Sequence, residues 1–142
     1  IKYIKFLQSK NVKAIIIACN TASSYATNAL KAMSSIPIFD VISPCIDQIT
    51  CSHSNKIAIL GTEKTIESQV YSNTINKSNK NIKIYNKACP LFVPIVEEGL
   101  EGTQISQAVI NYYLKEIRLQ RIKKLILGCT HYPILITDLK KY

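Results

Sequence analysis

The sequence predicts an α/β protein built around a parallel β-sheet. Short apolar runs rich in Ile alternate along the chain with longer stretches whose apolar residues recur at helical spacing. Apolar strands without polar alternation are typical of parallel sheets that helices cover on both faces. The 142 residues are 47% apolar and 19% charged, which supplies a real core and excludes a disordered chain.

Each element follows from a local pattern. Residues 1–10 carry Ile1, Ile4 and Leu7 at helical spacing and read as the end of a helix. Strands are predicted at the short apolar runs, which are 13–18, 36–42, 56–60, 81–85 and 123–127. Helices are predicted where apolar residues recur every three to four positions, which are 21–33, 63–77, 95–100, 103–118 and 134–141. Pro44 opens a short helical turn over 45–49, and 90–94 and 128–133 are predicted as a loop and a turn.

Charge and hydropathy limit the partners. The net charge is +9, from 18 basic and 9 acidic residues, but the lysines are scattered and favour a solvated surface. We therefore expect no nucleic-acid partner, although a basic nucleic-acid-binding module stays open as an alternative. The longest apolar run, 14–19, is far below the roughly 18 residues that span a bilayer, and no leader peptide is recognisable. We expect no membrane partner.

The five cysteines are Cys19, Cys45, Cys51, Cys89 and Cys129. Their odd number, wide spacing and lack of a CxxC pair argue against a disulfide framework and for a reducing compartment, so we expect a cytoplasmic protein. Cys45, Cys51 and His53 match no common zinc spacing, and no metal site is predicted. Some of the five are expected to be ordinary core residues.

Two segments stand where a parallel sheet binds ligands, beyond the carboxyl ends of its strands. Cys19-Asn20-Thr21 follows the run at 13–18, and residues 128–133 (GCTHYP) follow the run at 123–127. A helix start near each cysteine favours a thiolate and can bind a carboxylate. Alternatively, each cysteine is a packed core residue, and Asn20 and Thr21 cap the next helix.

Two separate thiols suit two chemistries. They could form a disulfide in a redox reaction. Alternatively, one thiolate removes a proton from a carbon and the opposite thiol delivers a proton to its other face, which inverts the centre.

The motifs resemble those of glutamate racemases in the aspartate/glutamate racemase superfamily. ACNTAS at 18–23 and LGCTHYP at 127–133 resemble the two signature blocks. Supporting stretches match in the same order at 36–44, 60–68 and 89–99. The resemblance implies a fold of two α/β domains, the first incomplete here, with residues 1–44 in the first and 45–142 in the second.

The resemblance also implies a cofactor-independent enzyme that interconverts L- and D-glutamate and supplies D-glutamate for peptidoglycan. By motif match, Cys19 and Cys129 are the acid/base thiols and Glu97 supports His131. The predicted substrate-binding residues are Asn20, Thr21, Thr130 and His131. No cofactor or metal is implied, the partner is glutamate itself, and a homodimer is left open. His131 favours glutamate over aspartate, because related aspartate racemases usually carry an acidic residue there.

The supporting residues could also have purely structural roles. His131 could be a structural histidine and Glu97 an exposed helix residue, while Thr62 and Thr65 could either donate to a carboxylate or cap a helix. The whole protein could also be an aspartate racemase of the same superfamily, or a non-catalytic α/β remnant that binds a small anion or a protein.

The sequence departs from the family pattern in several places. A glycine-rich Asp-Ser segment, a Pro-Tyr-Gly loop and the family's C-terminal continuation are not found, and Asp40 and Ser43 stand where Gly and Glu are common. We therefore expect a shortened form that is weakly active or inactive by itself. We also expect apolar strands such as 13–18 to be partly exposed to solvent. The free-energy cost of that exposed apolar surface is comparable with the stability of a whole domain.

Overall fold

A computed structural model describes residues 2–51, 54–122 and 124–142. Ile1 of the first predicted helix, His53 beside the cysteine pair and the first residue of the strand predicted over 123–127 lie outside these ranges. The strands are Ile15–Ile17 (β1), Ile38–Asp40 (β2), Lys56–Gly61 (β3), Lys83–Ala88 (β4) and Leu125–Gly128 (β5). The helices are Lys2–Ser9 (α1), Asn20–Met33 (α2), Ser43–Thr50 (α3), Glu63–Glu67 (α4), Val70–Ser78 (α5), Phe92–Glu97 (α6), Gln104–Leu119 (α7) and Ile136–Lys141 (α8), with a 3₁₀ turn at Tyr132–Leu135.

The larger sheet has the strand order β4-β3-β5, and both strand pairs are parallel. Alternate residues of a strand point to opposite faces. Ile57 and Ile59 of β3 therefore pack with α3 and α5 on one face. Ala58 and Leu60 pack with α6 and α7 on the other. Helices thus cover both faces of the β4-β3-β5 sheet, which we call the large sheet.

The other sheet, here the small sheet, pairs β1 with β2 in parallel. Ile15 and Ile38 lie opposite each other and pack against Ile4 of α1. On the other face, Ile16 is 70% exposed and Phe39 is 57% exposed. The run at 13–18 thus lies partly open, as expected. The parallel strands and alternating helices confirm the predicted α/β fold class.

Two predicted elements are wrong in detail. The helix predicted over 63–77 is broken, because Gln69 adopts a left-handed conformation with φ 54° between α4 and α5. The Ser68 hydroxyl donates to the carbonyl of Thr65 at 2.6 Å and closes the first helix there. The loop predicted over 90–94 is also wrong, since α6 begins at Phe92. Pro94 is tolerated in its first turn, where backbone N–H groups have no helical partner.

Asp40 and Ser43, the two residues that depart from the family pattern, bond each other at the end of the small sheet. The carboxylate of Asp40 accepts hydrogen bonds from the backbone N–H groups of Ile42 and Ser43, at 3.0 and 2.8 Å, and from the Ser43 hydroxyl. Lys31 pairs with the same carboxylate at 3.3 Å. Burial raises the pKa of Asp40, but these hydrogen bonds outweigh it and leave the pKa below the usual value. The two departures thus support each other.

None of the helices in the described ranges is both long and apolar enough to span a bilayer. The division of the chain into 1–44 and 45–142 stays a prediction.

Candidate active site

Cys19 lies in the short segment between β1 and α2. It is the N-cap residue of α2, with an extended backbone at φ −87° and ψ 124°, and its carbonyl accepts the N–H of Ser23 at 2.8 Å. The thiol side is exposed, and no hydrogen bond of the Cys19 thiol occurs within the described ranges. The alternative in which Asn20 and Thr21 cap α2 is wrong, because both side chains bind other elements.

Thr21 belongs to a cluster of three hydroxyl groups. Its Oγ1 lies 2.9 Å from Oγ1 of Thr62 and 3.1 Å from Oγ1 of Thr65, and those two oxygens are 3.0 Å apart. Thr62 also caps α4, since its Oγ1 accepts the N–H of Thr65 at 3.2 Å. Thr62 therefore does have the capping role that was left open. In addition it fastens the start of α2 to the end of β3.

Tyr71 of α5 bonds the residue after Cys19 and borders the residue before Cys129. Its hydroxyl donates to Oδ1 of Asn20 at 2.6 Å. A Cβ atom added at Gly128 would lie 3.6 Å from the Tyr71 ring and 3.7 Å from the Thr65 methyl group. In the helix predicted over 63–77, Tyr71 counts only as one residue of an apolar stripe. A polar hydroxyl on that stripe was the available signal, because a buried tyrosine hydroxyl needs a partner.

Cys129 lies just after β5 and is buried. Nδ1 of His131 is 3.8 Å from its sulfur, and Nε2 of the same ring is 3.2 Å from Oε1 of Glu97 at the end of α6. The three side chains form a thiol–imidazole–carboxylate line, of which Glu97 is the outer and more exposed member. Thr130 is exposed beside them.

The two cysteine segments are linked indirectly. Within the described ranges, no hydrogen bond or ion pair joins residues 18–23 directly to residues 129–133. Thr65 and Tyr71 make the link, because they bond Thr21 and Asn20, which directly follow Cys19, and both border Gly128. Both segments follow the carboxyl ends of parallel strands, where ligands of such sheets bind.

The break after α4 is what allows this link. Thr65 and Tyr71 are six residues apart, so on an unbroken helix they would point about 120° away from each other. The left-handed residue Gln69 changes the direction of the chain between them. As a result, both side chains reach the neighbourhood of Gly128 and the start of α2.

Comparisons with known proteins agree with the motifs. The family described as Asp/Glu/Hydantoin racemase matches residues 1–142. The glutamate racemase of Sulfurihydrogenibium sp. is 44% identical over 131 residues, which are 92% of this chain and 50% of the relative. That of Hydrogenobaculum sp. is 48% identical over 139 residues, which are 96% of this chain and 53% of the relative.

Solved structures share the fold. Francisella tularensis glutamate racemase in complex with D-glutamate has a TM-score of 0.91 and 40% identity, over 97% of this chain and 52% of that one. The Picrophilus torridus aspartate racemase, at 21% identity and a TM-score of 0.74, shows the fold alone. The chain spans about half the length of the curated relatives that it matches. The predicted resemblance is confirmed, and this chain belongs to the Asp/Glu/Hydantoin racemase family.

Proposed function

We propose that this chain carries the two-thiol site of a glutamate racemase that interconverts L- and D-glutamate without a cofactor. The observation that carries the proposal is the pair of cysteines that follow β1 and β5, with their neighbouring residues linked through Tyr71 and Thr65. D-glutamate made in this way would serve peptidoglycan synthesis. Reduced thiols are required, so we expect the reaction to run in the cytoplasm.

The mechanism divides the work between the two cysteines. One thiolate takes the Cα proton of glutamate, and the opposite thiol gives a proton to the other face of the carbon, so the centre inverts and the protonation states exchange. On the Cys129 side, the His131 imidazole lies within reach of the sulfur and can hold or return a proton. Glu97 is placed to orient that imidazole.

Substrate contacts fall to the polar residues of the same two segments. Asn20 and Thr21 follow Cys19, and Thr130 and His131 follow Cys129, so each thiol has donors beside it for a carboxylate or acceptors for the ammonium group. Glutamate is favoured over aspartate for two reasons. The relatives at 44% and 48% identity are named glutamate racemases. His131 also occupies the position after Gly-Cys-Thr that is usually acidic in aspartate racemases.

The test is a graft, because the chain spans only about half of its relatives. The matched segment of the Hydrogenobaculum racemase is replaced by this chain, and glutamate is incubated with the hybrid in D₂O. Starting from either enantiomer of glutamate, we expect NMR to show deuterium at Cα. We also expect the optical rotation of the solution to decay. Cys19→Ser and Cys129→Ser should each lower proton removal from one enantiomer by about 10²–10⁴-fold.

Cys51→Ser is the matched control, because this thiol is exposed and lies outside the predicted site. It should leave both rates unchanged. Aspartate in place of glutamate tests the aspartate alternative. Normal racemisation by both site variants would refute the two-thiol mechanism, and size-exclusion chromatography with light scattering on the same sample would show whether a homodimer forms.

A further inference from the structure

Tyr71 is a buried tyrosine for which the proposed mechanism has no use. Its side chain packs among Ile57, Ile59 and Ile126 of the large sheet. Its hydroxyl donates to Oδ1 of Asn20 at 2.6 Å, across 51 positions of the chain. A hydrogen bond this short, between α5 and the residue after Cys19, sets the position of the Asn20 side chain.

The chemistry of the pair fixes which end of the amide faces Tyr71. Burial raises the pKa of Tyr71, so the hydroxyl keeps its proton. Within the described ranges, Oδ1 of Asn20 is the acceptor for that proton. If the amide were turned round, its NH₂ group would face the hydroxyl and the buried O–H proton would have no acceptor, which is costly. The carbonyl end of Asn20 must therefore face Tyr71.

The other end of the amide is left for a ligand. No hydrogen bond of Nδ2 of Asn20 occurs within the described ranges, where every fully buried side-chain nitrogen or oxygen has a partner. Nδ2 is therefore reachable from solvent, although Asn20 as a whole is buried. Its two N–H groups are donors of the kind that bind a carboxylate.

We propose that Tyr71 is a positioning residue that holds the Asn20 amide with its NH₂ group toward the substrate carboxylate. The inference rests on the proposed function, because it takes glutamate as the ligand. The position of the hydroxyl is itself fixed, since the Tyr71 ring borders Gly128 at the end of β5. A side chain at Gly128 would also come within 2.9 Å of the Leu60 carbonyl oxygen, so the absence of one lets β5 pair closely with β3 at this end of the sheet.

The test compares two tyrosine variants of the 142-residue chain. Tyr71→Phe removes the hydroxyl and keeps the ring. Tyr85→Phe is the matched control, because the Tyr85 hydroxyl also donates to a side-chain amide oxygen, Oε1 of Gln120, at 3.0 Å. Glutamate is titrated into ¹⁵N-labelled protein, and the Asn20 side-chain NH₂ signals are identified by their loss in Asn20→Ala. We expect Tyr71→Phe to weaken glutamate binding about tenfold and Tyr85→Phe to leave it unchanged.

A double-mutant cycle separates positioning from general stability. If Tyr71 acts through Asn20, then Tyr71→Phe should cause no further loss of affinity in the Asn20→Ala protein. An equal tenfold loss in both backgrounds would overturn the proposal, as would unchanged affinity in Tyr71→Phe alone.

The same samples distinguish this inference from the proposed function. No glutamate binding by the wild-type chain, together with no Cα exchange in the graft, would refute the proposed function. The Asn20 NH₂ signals then test, without a ligand, whether Tyr71 holds the Asn20 amide in place. A chemical-shift change and faster solvent exchange of these signals in Tyr71→Phe, but not in Tyr85→Phe, support the proposal. Unchanged signals overturn it.

Discussion

The small sheet and the large sheet differ in how their faces are covered. The large sheet has helices on both faces, and Ile59 in the middle of its central strand is only 1% exposed. The small sheet is covered on one face by α1, and Ile16 in the middle of β1 is open to solvent on the other. The same residue type at the same place in a strand therefore has opposite surroundings.

The difference shows how the two halves of the candidate site are held. Cys129 follows a strand of the large sheet and is positioned by a complete core. Cys19 follows a strand of the small sheet, and its segment is held by hydrogen bonds to the large-sheet side. These bonds run from Thr21 to Thr62 and Thr65, from Tyr71 to Asn20, and from Tyr25 to the Lys64 carbonyl. The stability of the large sheet thus supports both halves.

The largest predicted effect comes from the two central isoleucines. Ile59→Ala should lower the free energy of unfolding by about 2–5 kcal/mol, because it removes buried methyl groups and leaves a cavity. Ile16→Ala, its matched partner, should lower the free energy of unfolding by less than about 1 kcal/mol, because the exposed side chain contributes little beyond its preference for strands. Urea denaturation followed by circular dichroism at pH 7 measures both. Equal losses would show that the small sheet is as well covered in solution as the large one.

A second contrast concerns cysteines at strand ends of the two sheets. Cys19 follows β1 and is exposed, whereas Cys89 follows β4 and is fully buried. Burial raises the pKa of the Cys89 thiol to about 12. Because only the thiolate is alkylated, Cys89 should react with iodoacetamide at pH 8 at least about a hundredfold more slowly than Cys19.

Mass spectrometry of peptides from the alkylated chain gives both rates. The same measurement in concentrated urea is the control, where the two rates should become similar. Fast labelling of Cys89 in the folded chain would mean that the core around α6 and β4 opens readily.

The sequence predicted the parallel α/β class, most elements and the two cysteine segments, because apolar runs and motifs are local signals. It did not predict the link between those segments. The break at Gln69 depends on tertiary contacts that no local pattern shows, and only this break brings Thr65 and Tyr71 to the same neighbourhood. For the same reason, the contact between Glu97 and His131 rested on the family resemblance alone, since 34 positions separate them.

A third prediction compares two buried carboxylates, one near each sheet. Asp138 of α8 accepts hydrogen bonds from the Ser106 hydroxyl at 2.6 Å and the Gly102 N–H at 2.7 Å, and these hold its pKa below the usual value. Asp138→Asn should lower the unfolding free energy by about 1–3 kcal/mol at pH 7, because it places an NH₂ group among donors. Asp40→Asn should have a smaller global effect, because Asp40 ends a strand of the small sheet.

The pH dependence follows from the sign of the shift. A carboxyl whose pKa is lower in the folded chain stabilises the fold above its ordinary pKa of about 4, and this contribution is lost as the pH falls through the lowered value. The difference between the wild type and Asp138→Asn should therefore be constant from pH 7 to about pH 5 and shrink below about pH 4. Urea titrations across this range measure it. A difference that grows on acidification would contradict the assignment.

The smallest effect on stability is expected at the open face of the small sheet. Ile16→Thr with Phe39→Thr replaces two exposed apolar side chains by a residue that also favours strands, so the unfolding free energy should change by less than about 0.5 kcal/mol. Binding of the dye ANS and self-association in sedimentation velocity should both fall, because exposed apolar patches cause them. Ile134→Thr, an exposed isoleucine outside the small sheet, is the control and should change neither. A loss of several kcal/mol of unfolding free energy in the double variant would mean that this face is covered in solution. The two sheets would then not differ in how their faces are covered.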